Sequence, residues 1–346
     1  MKIYLAPLEG VTGYIVRNAF FHHFSGIDQY YTPFIPAGKR MNKKILRDIA
    51  PENNTGIKLI PQLMSNRADE VIGMAHALRE YGYDSVNINL GCPSGTVVGK
   101  KRGSGLLFYP DELDAFLDEL YRTADMKISI KTRIGFDSPE EWPRILEIYR
   151  RYPIDELIIH PRIQKDFYKH PVRTDAFALA EEVLSGTGIR LCYNGDITDG
   201  ESYRAILARF PALESVMIGR GLLARPYLAE VIKEQISKEN IGTQIGVENG
   251  ISTGNREKTA SRELKFRIRA FHDEIFDGYC SIFSGEKDAM FHMKEIWHYL
   301  GNSFSGSEKY IKKIKKAQSF AEYRVVVDAI FRELDINAIG KIPLTP

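Results

Sequence analysis

Eight times in its first 220 residues the chain repeats one unit: a short, apolar, β-branched run, then in most intervals a stretch with helical periodicity. The runs are KIYLA from Lys2, DQYYTP from Asp28, IKLIPQL from Ile57, DSVNINL from Asp84, KISIKTR from Lys127, DELIIH from Asp155, IRLCYN from Ile189 and ESVMIG from Glu214. Their starts lie about 25 to 45 residues apart. The intervening stretches include ADEVIGMAHALREYG from Ala68 and DELDAFLDELYRTA from Asp111, both amphipathic at the helical period. Ser138, Pro139 and Glu141 spell an N-cap, a first-turn proline and a capping box. Parallel strands need such crossovers, so this alternation specifies a parallel sheet. Eight units in succession predict a closed (β/α)8 TIM barrel of the α/β class. No G-x-G-x-x-G follows the first run, which argues against a dinucleotide-binding open sheet.

The pattern changes after Lys238. ENIGTQIGVENGISTGN carries a glycine every fourth residue, a density that weakens helix and strand alike and predicts a linker over 239–257. Beyond it the helical period returns without strand signals, over roughly 258–282, 287–300, 308–318 and 321–334. Ser305 with Glu308 and Ser319 with Glu322 read as capping boxes. The expected division is a barrel over 1–238 and a small all-α helical bundle over 258–346. With 44% apolar and 27% charged residues the composition is that of a globular chain, and no apolar run approaches the roughly 20 residues of a membrane span. MKIYLAPLEG turns polar too early for a signal peptide. Cys92, Cys192 and Cys280 form neither a disulfide framework nor a metal-ligand spacing. A reducing, cytoplasmic location without a metal is expected.

Barrel enzymes gather their reactive groups at the C-terminal ends of the strands. Here those ends carry Pro7-Leu8-Glu9-Gly10, Gln62, Asn87 and Asn89 leading into Gly91-Cys92-Pro93, Lys131 and Arg133, His160 and Arg162, Asn194-Gly195-Asp196, and Gly219-Arg220-Gly221. Taken singly, each has a plainer explanation. A lone cysteine is usually a small hydrophobe, a lone histidine a satisfied structural group, a strand-end lysine a solvated one. Co-location on one rim is what outweighs those explanations. The glycines after the seventh and eighth strands let backbone N–H groups approach an anion, and Arg220 adds a charged contact. A phosphorylated ligand is therefore expected, FMN or a sugar phosphate fitting equally at this point.

LAPLEGVTG, NINLGCPSG, IKTRIG, NGDI and MIGRGLLARPYL together resemble the flavin-dependent tRNA-dihydrouridine synthases, over about Ile3 to Leu228. The resemblance implies a barrel holding FMN, followed by a helical domain that helps grip tRNA. It implies reduction of one uridine in tRNA to 5,6-dihydrouridine, with hydride passing from FMN N5 to C6 and a proton from Cys92 to C5. NADPH or NADH would re-reduce the flavin. By matching position, Pro7 and Leu8 lie against the flavin ring, Gln62, Lys131 and His160 at its edge, and Asn194, Gly195, Asp196, Gly219 and Arg220 around the tail and phosphate. Asn89 would face the uracil, with Arg162 and Lys165 on the substrate side. The chain departs from the family in HPRIQKDFYKHP, where Pro161 and Ile163 replace a small residue and a threonine, and Lys165 is expected to supply a displaced charge.

KYIKKIKKAQ sets Lys309, Lys312, Lys313, Lys315 and Lys316 within eight residues. Alone this reads as a solvated helix face. Beside the barrel it reads as a tRNA contact through Lys312, Lys313 and Lys316. Arg262, Lys265, Arg267 and Arg269 form a second basic stretch. A monomer is expected, since RNA must reach the barrel mouth. The competing reading is an FMN-dependent small-molecule reductase of dihydroorotate-dehydrogenase type, which leaves the basic helices without a task.

Overall fold

The eight runs fold as parallel strands that close on themselves in a computed structural model, which describes residues 1–242 and 254–337. In chain order they are Lys2–Leu5, Gln29–Tyr31, a divided third strand, Ser85–Leu90, Lys127–Arg133, Glu156–His160, Arg190–Tyr193 and Ser215–Ile218. The first strand pairs in parallel with the eighth, Leu5 opposite Ile218, and with the second, Leu5 opposite Tyr30.

Pro61 divides the third strand, because proline has no N–H to give the ladder. Leu59–Ile60 pairs with the second strand and Gln62–Met64 with the fourth, so the two pieces join the ends of the sheet. Thr32 bridges the gap: its N–H donates to the Ile60 carbonyl at 3.2 Å, and its Oγ1 accepts from the Gln62 N–H at 2.9 Å. Ile35–Pro36 adds a two-residue strand beside Gln62–Met64.

Strand alternation sorts the side chains. Ile88, Leu90, Ile128, Ile130, Leu157 and Ile159 join the main core, together with Leu113, Leu117, Trp142 and Leu146 of the surrounding helices. Tyr4, Ala6, Tyr31, Ile60, Ile158, Cys192 and Met217 form a separate buried cluster. The barrel lumen is thus a packed core, as its period-two pattern requires. The capping box at Ser138 and Glu141 forms as read.

The helical part comprises Gly254–Ile282, Glu286–Leu300, Glu308–Lys316 and Phe320–Glu333. The helix preceding it, Leu228–Gly242, runs through the first residues of the expected linker; the rest of that linker before Gly254 lies outside the described residues. Ser305 does not cap. Its hydroxyl donates to Asn337 Oδ1 at 2.6 Å, and Ser307 occupies the N-cap position without a side-chain bond. Ser319 does accept the Glu322 N–H, while the Glu322 carboxylate takes the N–H of Gln318.

Aromatic and ionic contacts seat these helices on the barrel. The Phe271 ring lies 4.9 Å from Phe20 and 5.5 Å from Phe24, edge to face. Arg267 donates to the His23 carbonyl and to Glu230 at 2.6 Å each. On the other side Ser303, fully buried, donates to the Ala224 carbonyl at 2.6 Å.

Candidate cofactor cleft and active site

The fourth strand ends in a loop held at every polar atom. Asn89 Oδ1 accepts the N–H groups of Gly91 at 3.1 Å and Cys92 at 2.9 Å. The Cys92 carbonyl accepts from the N–H and hydroxyl of Ser104, and the Pro93 carbonyl from Gln164 Nε2 at 3.0 Å. Gly103, at φ +56°, passes so close that a Cβ there would lie 2.8 Å from the Cys92 carbonyl oxygen. The backbone that carries the half-buried Cys92 is thereby fixed in place. Burial pushes its pKa above the ordinary thiol value, so it holds its proton at neutral pH.

Beside it, period-two alternation places Ser129, Lys131 and Arg133 on one side of the fifth strand. Lys131 Nζ has no hydrogen bond or ion pair among the described residues. Burial, then the neighbouring Arg133, lowers its pKa to about 8. Arg133 instead staples loops: its guanidinium donates to the carbonyls of Gly91 at 3.0 Å, Ile163 at 2.8 Å and Phe167 at 3.0 Å.

Pro7, Leu8, Lys131, His160, Tyr168, Asn194, Gly195, Asp196, Gly219 and Arg220 line one cleft. Gln62 lies beneath it, bonded to Asn89. The glycines are required by space: a Cβ at Gly195 would lie 2.1 Å from the Tyr193 hydroxyl, and one at Gly221 2.2 Å from the Ile197 carbonyl. A short helix, Arg220–Ala224, begins directly after Gly219. Asp196 is held by Arg162 in a bidentate pair, at 2.9 and 2.5 Å, and by Arg220 Nη2 at 3.1 Å. The second terminal nitrogen of Arg220 is buried without a partner. Two cations thus share one carboxylate, and among the described residues the Lys131 ammonium and one Arg220 nitrogen have no partner. This donor set suits an anion such as a phosphate.

Arg162 Nη1 also donates to His160 Nε2 at 3.0 Å. A guanidinium can only donate, so Nε2 is unprotonated and Nδ1 carries the hydrogen. Burial and the surrounding arginines hold the His160 pKa well below the usual value, in agreement with a neutral ring.

Two expected substrate contacts move. Arg162, placed on the RNA side by its strand-end position, is 2% exposed and faces Asp196 and His160. The Arg162 N–H bonds back to the His160 carbonyl at 2.7 Å, a tight turn across Pro161 that folds the side chain into the cleft wall. Lys165 sits outside, its side chain 62% exposed and paired with Asp137 at 2.8 Å, so it supplies no charge to the cleft. The same loop contributes Tyr168, which the sequence reading missed: the Arg220 guanidinium lies 4.2 Å from its ring centre. Phe167 before it adopts φ +47°, a strained value for a bulky residue. Nothing in the local sequence announces that turn.

Lys309, Lys312, Lys313, Lys315 and Lys316 are all exposed on the Glu308–Lys316 helix, whose Tyr310 and Ile314 face the core. Arg267 and Arg269 of the other basic stretch are engaged in ion pairs. A second, larger groove is lined by barrel-mouth and helix residues, with Tyr14, Phe34 and Phe283 among its apolar lining and Arg40, Lys44 and Arg47 among its charged lining. Among the described residues no His, Cys, Asp and Glu cluster could hold a metal ion, and no helix is long and apolar enough to cross a membrane.

A closed barrel with a cation-lined cleft at its last two strand-end loops has the architecture in which barrel enzymes frequently place a phosphate site. A family model described as dihydrouridine synthase (Dus) matches residues 4–272, and the chain belongs to that family. The tRNA-dihydrouridine synthase B of Pasteurella multocida (strain Pm70) is 30% identical over 244 residues, covering 69% of this chain and 71% of that one. A probable tRNA-dihydrouridine synthase of Staphylococcus epidermidis (strain ATCC 12228 / FDA PCI 1200) is 24% identical over 351 residues, covering 96% and 95%. Among solved structures, morphinone reductase aligns with a TM-score of 0.49 at 12% identity, over 68% of this chain and 86% of that one.

Proposed function

We propose that the protein reduces a uridine in tRNA to 5,6-dihydrouridine, with FMN in the cleft and NADPH or NADH as reductant. The observation that carries this reading is the meeting, at the strand ends of one barrel, of the Lys131 ammonium, unpaired among the described residues, and the partnerless terminal nitrogen of Arg220 with the protonated Cys92. The residues present fit FMN: Asn194, Gly195, Asp196, Gly219 and Arg220 would hold the phosphate and tail, Pro7 and Leu8 the ring face, Gln62, Lys131 and His160 the ring edge. Bound there, FMN would supply the hydride for the reduction.

The chain's own residues do the rest. The Cys92 thiol holds the proton that C5 needs, and its raised pKa keeps that proton available at neutral pH. The Lys131 ammonium stabilises negative charge at the ring edge. The Asn89 amide donates to a uracil carbonyl, drawing electron density from the C5–C6 bond. The target base must leave its stack, at roughly a few kcal/mol. The exposed lysines of the Glu308–Lys316 helix would offset that cost through phosphate contacts.

The direct test is to incubate the protein with NADPH and tRNA transcribed without modifications, then digest and weigh the nucleosides. Dihydrouridine at one position supports the reading. NADPH oxidation driven by a small carbonyl or pyrimidine compound, with untouched tRNA, supports the small-molecule reductase instead.

A further inference from the structure

The buried amides below Cys92 form a chain whose direction is fixed at its upper end. Gly91 and Cys92 present backbone N–H groups, which can only donate, so the Asn89 atom facing them is its oxygen. Asn89 Nδ2 then faces Gln62 at 2.8 Å, so Gln62 turns its oxygen upward. Gln62 Nε2 donates in turn to Asn87 Oδ1 at 2.8 Å, and Asn87 Nδ2 to Ser129 Oγ at 2.9 Å. The series ends where the Ser129 hydroxyl donates to the Val86 carbonyl at 3.3 Å. Every side chain in it is buried. A reversal at any member would set N–H against N–H or oxygen against oxygen, so the whole series keeps one polarity.

Both lone pairs of Asn89 Oδ1 are occupied, and among the described residues one N–H of Nδ2 is left over. Asn89 can therefore add only a donated bond to the site. We propose that Asn87 and Ser129 are positioning residues: the Gly91 and Cys92 N–H groups set the sense of the Asn89 amide, and through Gln62 the two lower residues hold that amide, and with it the Cys92 loop, in place. This rests on the proposed reduction of uridine. An amide locked in this sense can donate to a pyrimidine carbonyl and cannot turn over to receive an exocyclic amino group.

The test uses Ser129→Ala, which deletes the lower anchor, and Ser129→Thr, which restores a hydroxyl. The first readout is kcat and KM for tRNA reduction; the second is the rate at which iodoacetamide alkylates Cys92 in flavin-free protein, followed by mass spectrometry of its peptide. Ser129→Ala is expected to lower kcat about tenfold with KM for tRNA changed less than twofold, on the scale of one lost hydrogen bond. It is also expected to speed Cys92 alkylation several-fold, as the loop loses its hold. Ser129→Thr is expected to recover both. A folded Ser129→Ala protein with native kcat and native alkylation, or a Ser129→Thr protein as impaired as Ser129→Ala, overturns the proposal. The alkylation arm needs no RNA, so a native protein that fails to reduce tRNA removes the reading of the reaction while the relay is still judged.

Discussion

Cys92 and Lys131 sit on neighbouring strand ends, yet burial moves the two pKa values in opposite directions, the thiol up and the ammonium down to about 8. Each shift leads to a measurement. Cys92→Ala is expected to retain FMN and tRNA binding and to slow reduction about 10² to 10⁴-fold, the usual range for a lost general acid. Unchanged turnover removes the thiol as proton donor. For Lys131 the sign follows from the charged form: a carbonyl on the ring edge accepts more strongly from an ammonium than from an amine, so its contribution is complete below pH 8 and fades above it. FMN affinity, read from quenching of flavin fluorescence, is expected to fall as pH rises through about 8, by at most about tenfold per pH unit for one linked proton. Lys131→Met should be weaker at neutral pH and flat across that range. An alkaline decline equal in the native and Lys131→Met proteins contradicts the assignment.

At the residue scale much was legible, because strand-end motifs announce themselves: Asn89, Cys92, Lys131, His160, Asp196 and Arg220 converge on one rim. Arg162 was not, since the sequence places it at a strand end but does not show that the chain doubles back across Pro161. The polarity of the amide series was equally hidden. It depends on which backbone N–H groups the Cys92 loop turns inward, and that is a property of the folded turn.

Single elements show where local pattern suffices and where it fails. The fifth strand, KISIKTR, alternates so that Ile128 and Ile130 pack into the main core while Ser129, Lys131 and Arg133 share the other face, an alternation that a period-two reading recovers. The third run looked like one strand and is two, because Pro61 interrupts the ladder while the sheet continues on both sides. Capping at Ser305 failed because a tertiary partner, Asn337, takes its hydroxyl. The loop of the sixth strand has no regular period, and its shape is imposed by Arg133 from the neighbouring strand. Arg133→Leu would strand the carbonyls of Gly91, Ile163 and Phe167, and is expected to cost roughly 2–4 kcal/mol in urea denaturation. A loss under about 0.5 kcal/mol, the range of ordinary surface substitutions, contradicts the staple.

Across the whole molecule the barrel carries the cation-lined cleft and the helical part the exposed basic helix, the two seated on each other by Phe271 between Phe20 and Phe24. Nothing in the periodicity of either part foretold that seating, which depends on complementary surfaces far apart in the chain. Replacing Lys312, Lys313 and Lys316 with glutamate is expected to weaken tRNA binding and flatten its salt dependence, by about 0.7 to 0.9 in log–log slope for each lost phosphate contact. FMN affinity should not change. A native salt slope in that variant moves the RNA contact elsewhere. The measurement closest to the central claim is an anaerobic absorbance titration of the FMN-loaded, NADPH-reduced protein with unmodified tRNA. Return of the oxidised flavin band in proportion to the tRNA added is the expected result. A flavin that stays bleached in the presence of tRNA and recolours only with a small acceptor contradicts the proposed reaction.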